Sequence, residues 1–335
     1  MTLSQHHLPK RILVTGGAGY IGSHFCKALA QEGIEPVVID NLSRGHKDAV
    51  KWGPLEVADL RDREAVMRVL TRHEIEAVVH FAALAYVGES MVRPQLYYDN
   101  NLGGMSVLMS ALAATGVNKI VFSSTCATYG IPDHLPITEE TPQNPINPYG
   151  RTKLVSEWML RDAAAASDLR YAALRYFNAA GADSEAEIGE RHLPETHLIP
   201  LALMAAFGSA PPLKLFGTDY DTPDGTCIRD YIHVEDLARA HLLALSHLES
   251  GGDSLAVNLG TGTGASVREV IDAVTAVSGR SVPYELAPRR EGDPAALVAD
   301  PTRAFEILGF RARLRDLNRM VEDAMPWFQV ETERV

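Results

Sequence analysis

The sequence has few cysteines and no long apolar run. Cys26, Cys126 and Cys227 are the only cysteines among 335 residues, and they form no C-x-x-C pair. This spacing argues against a disulfide framework and a cysteine zinc site, and it predicts reduced thiols in a cytoplasmic protein. No apolar segment approaches the roughly 20 residues needed to cross a membrane. The first residues also lack a hydrophobic signal region, so no membrane association is expected.

The sequence also lacks a surplus of basic residues. Its 43 acidic and 31 basic residues give a net charge of −12, which argues against a nucleic-acid partner and against binding to anionic lipid. An anionic substrate would have to be bound by a few local arginines. None of the 12 histidines shows metal-ligand spacing, so no metal site is predicted.

A glycine-rich turn near the start of the chain predicts a phosphate-binding site. Arg11–Thr15 has the pattern of a short buried strand, and Gly16–Gly22 follows it before apolar residues at helical spacing. Gly16 permits a tight turn, Gly19 lets a pyrophosphate approach the backbone, and Gly22 lets helix and strand pack closely. The start of the helix then offers unpaired N–H groups to the anion.

A carboxylate after the next apolar strand indicates which dinucleotide is bound. Asp40 follows the apolar residues 36–39 and lies 18 residues beyond Gly22. In that position a carboxylate accepts hydrogen bonds from an adenosine ribose and repels a 2′-phosphate. The sequence therefore predicts NAD rather than NADP.

Strands and helices alternate through the first half of the chain. Further buried strands are predicted at about 57–60, 77–83, 119–125 and 170–176. Such alternation predicts an α/β fold, a doubly wound Rossmann-type parallel sheet with right-handed crossovers.

The composition changes after Asn178, where an acidic, loop-rich stretch begins. We predict an NAD-binding Rossmann domain at residues 10–178 and a smaller C-terminal substrate-binding lobe at 179–330. Segments at about 230–260 regain the apolar pattern of the first half and are expected to return to the Rossmann domain.

Tyr149 and Lys153 form a candidate catalytic pair. They are four residues apart, and residues at this spacing share one face of a helix. A neighbouring lysine favours the phenolate and lowers the tyrosine pKa. Half ionisation near neutral pH requires the pKa to fall by roughly 3 from about 10, on the order of 4 kcal/mol, so a second positive charge such as an oxidised nicotinamide is expected. A tyrosine of this kind is a general base for a hydroxyl, and Thr125, at the carboxyl end of a predicted strand, could reach the same ligand.

Several motifs occur in a fixed order along the chain. They are Gly16–Gly22, Asp40-Asn41, His80–Ala83, Ser123–Thr125, Tyr149-x-x-x-Lys153, Arg175–Asn178, Arg229–Val234 and Pro288–Asp293. In this order they resemble the extended short-chain dehydrogenase/reductase superfamily. Within it the closest resemblance is to the UDP-glucose 4-epimerase family, and it covers the chain from about Lys10 to Phe328.

The resemblance implies an isomerase that performs NAD-dependent 4-epimerisation of a UDP-sugar, interconverting UDP-galactose and UDP-glucose. By this resemblance Tyr149 takes the proton from the sugar 4-hydroxyl while hydride passes from C4 to NAD. Thr125 bonds the same oxygen, and Lys153 holds the nicotinamide ribose. The 4-keto sugar then turns over in the pocket and receives the hydride on its other face, while NAD stays bound as a prosthetic group.

The same resemblance assigns two sets of contact residues. The implied cofactor contacts are Gly16, Gly19, Tyr20, Ile21, Gly22, Asp40, Asn41, Asp59, Leu60, Phe81, Ala82, Ala83, Asn100, Ser123, Tyr149, Lys153 and Tyr176. The implied substrate contacts are Thr125, Tyr149, Asn178, His197, Leu198, Phe216, Arg229, Tyr231, Arg290, Asp293 and Leu297. Among the latter, the two arginines suit a diphosphate because a guanidinium fork matches its oxygens. As alternatives, both arginines could be surface salt-bridge partners, and Asp293 could cap a turn.

Three positions depart from the family pattern. Ala85 replaces a lysine that reaches the cofactor in bacterial relatives, and His197 replaces an asparagine. Leu297 is intermediate between the bulky tyrosine and the small residue that line the hexose pocket in related enzymes, where the small residue accompanies N-acetylhexosamine substrates. The substrate therefore stays open among UDP-hexoses, UDP-N-acetylhexosamines and UDP-pentoses such as UDP-arabinose or UDP-xylose.

Other functions of the superfamily fit the sequence less well. Nucleotide-sugar dehydratases and decarboxylases carry an acidic residue just after the active-site Thr or Ser, where this chain has Cys126-Ala127. An NAD-sensing regulator would not need Thr125, Tyr149 and Lys153 together. The family and the apolar faces of helices near 101–114 and 149–166 predict a homodimer.

Overall fold

The computed structural model describes residues 8–290 and 292–333. Its strands are β1 (Ile12–Thr15), β2 (Val37–Asp40), β3 (Leu55–Val57), β4 (Ala77–His80), β5 (Lys119–Thr125), β6 (Arg170–Tyr176), β7 (Asn178–Ala180), β8 (Leu213–Phe216), β9 (Ile228–His233), β10 (Leu255–Leu259), β11 (Gly264–Ser266), β12 (Tyr284–Ala287) and β13 (Ala296–Leu297). Its helices are α1 (Tyr20–Gln31), α2 (Arg63–Arg72), α3 (Val87–Val92), α4 (Pro94–Tyr97), α5 (Gly103–Thr115), α6 (Pro148–Ala166), α7 (Leu198–Phe207), α8 (Val234–Glu249), α9 (Val267–Ser278), α10 (Thr302–Leu308) and α11 (Leu317–Glu333). None of these helices is long and apolar enough to cross a membrane.

The larger part of the fold is a seven-stranded sheet in the order β10-β6-β5-β4-β1-β2-β3, and every pair in it is parallel. Its central strands are apolar without alternation because helices cover both faces. On one face Phe25 and Leu29 of α1 pack with Leu237 and Leu245 of α8. On the other face α2 and α5 pack in a second apolar cluster. This arrangement confirms the predicted doubly wound Rossmann-type sheet.

A smaller lobe lies beyond the sheet. Strand β9 pairs with β7, β11 and β13, while β8 pairs with β12. Helices α7, α9 and α11 surround the apolar core of this lobe. Strand β10 extends the large sheet by pairing with β6, and α8 packs on α1. Asp230–His233 lie in β9 of the small sheet.

Some predicted elements end earlier or begin later than the sequence indicated. Strand β3 ends at Val57 and strand β4 at His80, so Asp59, Leu60 and Phe81–Ala83 lie in loops after the strands. Helix α5 begins at Gly103, after a π-helical turn at Tyr98–Leu102. These loops lie at the carboxyl edge of the sheet, the edge where ligands bind in this class of fold.

Candidate functional site

The carboxyl ends of the central strands open into one large cavity. It encloses about 1710 Å³ of space not occupied by protein atoms, counting its open mouth. The predicted site residues that line it are Gly16, Gly19, Tyr20, Ile21, Gly22, Asp40, Asn41, Asp59, Leu60, Phe81, Ala82, Ala83, Asn100, Ser123, Thr125, Tyr149, Lys153, Tyr176, Asn178 and His197. Every residue predicted from the sequence to contact NAD therefore borders a single space.

The glycine turn has the geometry of a phosphate cradle. Gly16 adopts φ +72°, and a Cβ there would lie 2.6 Å from the backbone nitrogen of Ala82. A Cβ on Gly22 would overlap the carbonyl oxygen of Gly16. Helix α1 begins after Gly19 without a side-chain cap, so its first N–H groups face the cavity. The residues present thus fit the pyrophosphate of a dinucleotide.

Two carboxylates stand where the adenosine end of a dinucleotide would lie. Asp40 accepts hydrogen bonds from the backbone nitrogens of Ala18 (3.1 Å) and Leu42 (2.8 Å), and burial raises its pKa. Asp59 accepts from Asn41 at 2.9 Å and pairs with Arg61, which holds the Asp59 pKa well below its usual range.

The candidate catalytic residues converge at the other end of the cavity. Asn147 caps α6 by accepting from the Gly150 nitrogen at 2.8 Å, and Pro148 occupies the first turn. This cap places Tyr149 at the start of the helix and Lys153 one turn later, beside Thr125 at the end of β5. All three are at least nine-tenths buried.

Lys153 does not pair directly with the phenol. Its Nζ donates to the carbonyl oxygen of Ser123 at 2.6 Å and lies 6.0 Å from the centroid of the Tyr149 ring. Burial lowers the Lys153 pKa to about 7, against the opposing charge of Glu157.

The Tyr149 pKa corrects one sequence-based expectation. Burial, followed by the nearby Tyr176, raises it well above the usual value, while a hydrogen bond to Thr125 opposes the rise. The prediction that Lys153 lowers the phenol pKa is therefore wrong for the protein without its cofactor. Desolvation is the largest cause of the raised pKa and Lys153 does not offset it, so the predicted need for a second positive charge becomes stricter.

A buried ion pair that the sequence analysis missed lies next to the catalytic residues, between α6 and the strands β5 and β6. Glu157 accepts from Ser124 and from Arg175, whose Nη2 lies 2.7 Å away. Arg175 also donates to the Tyr129 hydroxyl at 2.9 Å. Glu157 lies four residues after Lys153 on the same face of α6, which was the available sequence signal.

The remaining predicted substrate residues form a second group outside the cavity lining. Arg229 pairs closely with Asp293, whose carboxylate also lies 3.7 Å from Nε of Arg290. The Arg290 guanidinium stands 4.5 Å from the centroid of the Phe216 ring. The structure thus unites residues far apart in sequence, and it gives Asp293 two arginine partners.

Three residues, two on strands and one on a helix, connect this group to the cavity. Tyr231 on β9 is in register with Asn178 on β7, which lines the cavity. Leu297 on β13 is in register with Arg229 and packs in a cluster with the cavity-lining Cys126 and Phe177. Leu198 begins α7, directly after His197.

One wall of the cavity is formed by a loop that the sequence analysis considered only through His197. It carries Glu190, His192 and His197, which line the cavity, and also Glu195. Arg44 ties this loop to its neighbours by donating to the Leu193 carbonyl at 2.9 Å and to Glu89 on α3.

Comparison with known proteins agrees with this geometry. Residues 12–260 match the NAD dependent epimerase/dehydratase family. The chain is 55% identical over 316 residues to the UDP-glucose 4-epimerase of Rhizobium meliloti (strain 1021), covering 94% of this chain and 96% of that one.

Solved structures show the same similarity. The UDP-glucose 4-epimerase of Brucella ovis in complex with NAD superposes with a TM-score of 0.94 at 55% identity, over 96% of this chain and 98% of the other. The UDP-glucose 4-epimerase of Bifidobacterium longum in complex with NAD⁺ and UDP gives 0.91 at 38% identity, over 97% and 100%.

Proposed function

Because the chain belongs to the NAD dependent epimerase/dehydratase family and, within it, to the UDP-glucose 4-epimerases, we propose that Tyr149, Lys153 and Thr125 catalyse the interconversion of UDP-galactose and UDP-glucose in its cavity. The enzyme is an isomerase that epimerises C4 of a UDP-sugar, and NAD is its cofactor. The observation that carries the residue assignment is the convergence of these three buried side chains on the cavity that begins at the glycine turn.

The protein's own residues manage the proton. When bound, NAD supplies a reversible hydride acceptor, so that C4 of the sugar can pass through a ketone. Tyr149 takes the proton of the 4-hydroxyl and returns it at the end of the reaction. Thr125, which borders the cavity with Tyr149, holds the same oxygen in line. Lys153 supplies a positive charge to the active site, where its Nζ donates a hydrogen bond to the Ser123 carbonyl oxygen.

Inversion requires a firm hold on the nucleotide and a loose hold on the hexose. Arg229 and Arg290 supply two guanidinium groups for the diphosphate, and Asp293 keeps them beside each other. The Phe216 ring under Arg290 fixes the position of that side chain. The sugar itself faces Asn178, Tyr149 and the apolar cluster at Leu297, which leaves room for the ketone to turn over.

The breadth of sugar substrates follows from the same pocket. Leu297 packs with Cys126 and Phe177, so its side chain limits the space near the hexose. We propose a preference for UDP-hexoses over UDP-N-acetylhexosamines, with UDP-pentoses as the second candidates. Relative rates with UDP-galactose, UDP-N-acetylgalactosamine and UDP-arabinose test this order, and a faster rate with the N-acetylated sugar would contradict it.

We also propose a homodimer in the cytoplasm. Trp158 on α6 is 45% exposed, and Val107 on α5 and Met159 on α6 are half-buried. Both helices therefore present apolar side chains at the surface. Pairing of these helices between two copies would cover that surface. The three cysteines are buried and unpaired, which supports a reducing compartment. A monomeric mass by light scattering at micromolar concentration would contradict the dimer.

The reaction is tested by proton NMR of the purified protein with UDP-galactose and no added NAD. Conversion to UDP-glucose is expected, because the cofactor is retained from expression. Tyr149→Phe should lose about 10²–10⁴-fold in turnover while keeping its bound NAD. Tyr284→Phe, which alters an exposed tyrosine, is the matched control. Turnover by Tyr149→Phe at the control rate would refute the assignment of the base.

A further inference from the structure

Four potential metal ligands meet on the loop between β7 and α7. The two imidazoles and two carboxylates of Glu190, His192, Glu195 and His197 each offer one ligand atom, and these atoms lie within 4.8 Å of one another. We name this group the His–Glu cluster. It stands in the cavity wall, and of its four members only His197 is among the predicted substrate contacts.

The His192 separations within the His–Glu cluster are close to those around a tetrahedral ion. Zinc bonds to imidazole nitrogen and carboxylate oxygen are about 2.0–2.2 Å long, so neighbouring ligand atoms are about 3.3–3.6 Å apart. The Nδ1 of His192 lies 3.2 Å from an oxygen of Glu190 and 3.5 Å from one of Glu195. The Nδ1 of His197 lies 2.7 and 2.9 Å from oxygens of the same two carboxylates. The His197 distances are those of direct hydrogen-bonded ion pairs, so His197 would have to move outward for an ion to bind between it and the carboxylates.

An unsatisfied nitrogen points into this group. The Nδ1 of His192 is shielded from solvent and makes no hydrogen bond of good geometry, although it lies within ion-pair distance of both carboxylates, at 3.2 and 3.5 Å. A buried nitrogen of this kind is costly unless something binds it. The carboxylates of Glu190 and Glu195 are 4% and 6% exposed, so two negative charges are also held away from water. A divalent cation, taking the place of the protons that the two imidazoles otherwise hold between the carboxylates, would bind the nitrogen and neutralise both charges.

Contacts around the ligands hold them in place. The backbone nitrogens of Thr196 and His197 donate to one oxygen of Glu195 at 2.7 and 2.9 Å, which leaves its other oxygen toward His192. The Trp327 indole donates to the Glu190 carbonyl at 2.9 Å. Outer hydrogen bonds of this type orient the ligands of protein metal sites.

We propose that the His–Glu cluster binds one divalent transition-metal ion of the zinc type. Two imidazoles among four ligands favour Zn²⁺ over Mg²⁺ or Ca²⁺, which prefer oxygen-only sets. Four protein ligands close the coordination shell, so the ion is structural. It fixes the loop that forms the cavity wall beside Tyr86, whose ring lies 5.5 Å from that of His192. The proposal does not depend on the sugar that the enzyme converts.

The test measures zinc binding to the NAD-containing protein. Isothermal titration with Zn²⁺ after chelator treatment should give one site per chain, and Mg²⁺ should give no heat. His192→Gln and Glu195→Gln should each weaken Zn²⁺ binding at least tenfold. Glu185→Gln should bind Zn²⁺ like the unmodified protein, because Glu185 belongs to an acidic group already occupied by the Lys27 ammonium. Retained NAD and an unchanged circular dichroism spectrum verify that each variant is folded.

Two results would overturn the proposal. The first is the absence of Zn²⁺ binding by the unmodified protein at micromolar concentration. The second is equal binding by the unmodified protein, His192→Gln and Glu195→Gln, which would locate the ion elsewhere. Should either variant fail to fold, Co²⁺ bound to the unmodified protein decides the question. A tetrahedral site gives strong visible absorption, and a weak octahedral spectrum would refute it.

Discussion

Neutralising Glu157 should destabilise the protein more than neutralising any exposed carboxylate. Glu157 and Arg175 form an ion pair whose side chains are only 7% and 8% exposed. Arg175 directs Nε and Nη2 at Glu157, at 3.0 and 2.7 Å. In Glu157→Gln the amide keeps the shape of the side chain but removes its charge, and its NH₂ group cannot accept from the guanidinium. Arg175 is then left as a buried charge without a counter-ion.

The size of the effect follows from the cost of such a charge. Breaking one partner of a buried pair costs about 3–5 kcal/mol, whereas an exposed pair is worth about 0–1 kcal/mol. We expect Glu157→Gln to lower the free energy of unfolding by about 3 kcal/mol, since the amide oxygen still accepts one N–H. Ser124 and Gln143 also bond Glu157, and both can adapt to an amide.

Urea denaturation followed by circular dichroism, with excess NAD, measures this loss. Glu140→Gln is the matched control because Glu140 and Arg303 form a pair at 3.4 Å whose side chains are 75% and 43% exposed. The control should lose at most about 0.5 kcal/mol. A loss below about 1 kcal/mol in Glu157→Gln, or equal losses in the two variants, would show that the buried pair carries no such penalty.

Three further predictions concern the cofactor turn, the diphosphate and the active-site lysine. Gly22→Ala should lose bound NAD, measured by cofactor release on denaturation, because its Cβ would overlap the Gly16 carbonyl; Gly88→Ala, in open space, should retain it. Arg229→Lys should raise the KM for UDP-galactose by about 10–100-fold with a smaller effect on kcat, because an ammonium cannot form the bidentate contact; an unchanged KM would contradict this role. Burial lowers the Lys153 pKa to about 7, so between about 7 and the usual 10.4 the unfolded chain binds a proton that the folded chain does not. Without cofactor, the free energy of unfolding of the unmodified protein should therefore rise with pH across this window relative to that of Lys153→Met. A difference that falls with pH would refute the lowered Lys153 pKa.

The sequence was sufficient where a local pattern determines the outcome. The glycine spacing, the continuous apolar strands and the i, i+4 relation of Tyr149 and Lys153 each have one structural solution, and the fold confirms the sheet that they predicted. The positions of Thr125 and Asp40 at strand ends followed from the same rule, since parallel strands present their carboxyl ends at one edge.

Electrostatic properties required the three-dimensional structure. The Tyr149 pKa depends on how deeply the phenol is buried and on Lys153 bonding to Ser123 instead, and neither is encoded in their spacing. Arg229 and Asp293 are 64 residues apart, so their pairing depends on how β9 meets the loop before β13. The His–Glu cluster lies within eight residues, yet its convergence depends on the path of one irregular loop.

The structure also accounts for how a cofactor can remain bound through a reaction that must return hydride to the same sugar. The small lobe is fastened to the helix that follows the glycine turn. The Tyr20 hydroxyl donates to the Gly181 carbonyl at 2.6 Å, and the Lys27 ammonium pairs with Asp183 at 2.7 Å. Both contacts are buried, and both join α1 to the segment just after β7. Moving the lobe away from α1 would leave the buried Lys27 and Asp183 without each other as partners, which costs several kcal/mol. Because the first turn of the same helix borders the cavity, the contacts that hold the lobe also fix the position of the glycine turn beside the cofactor site.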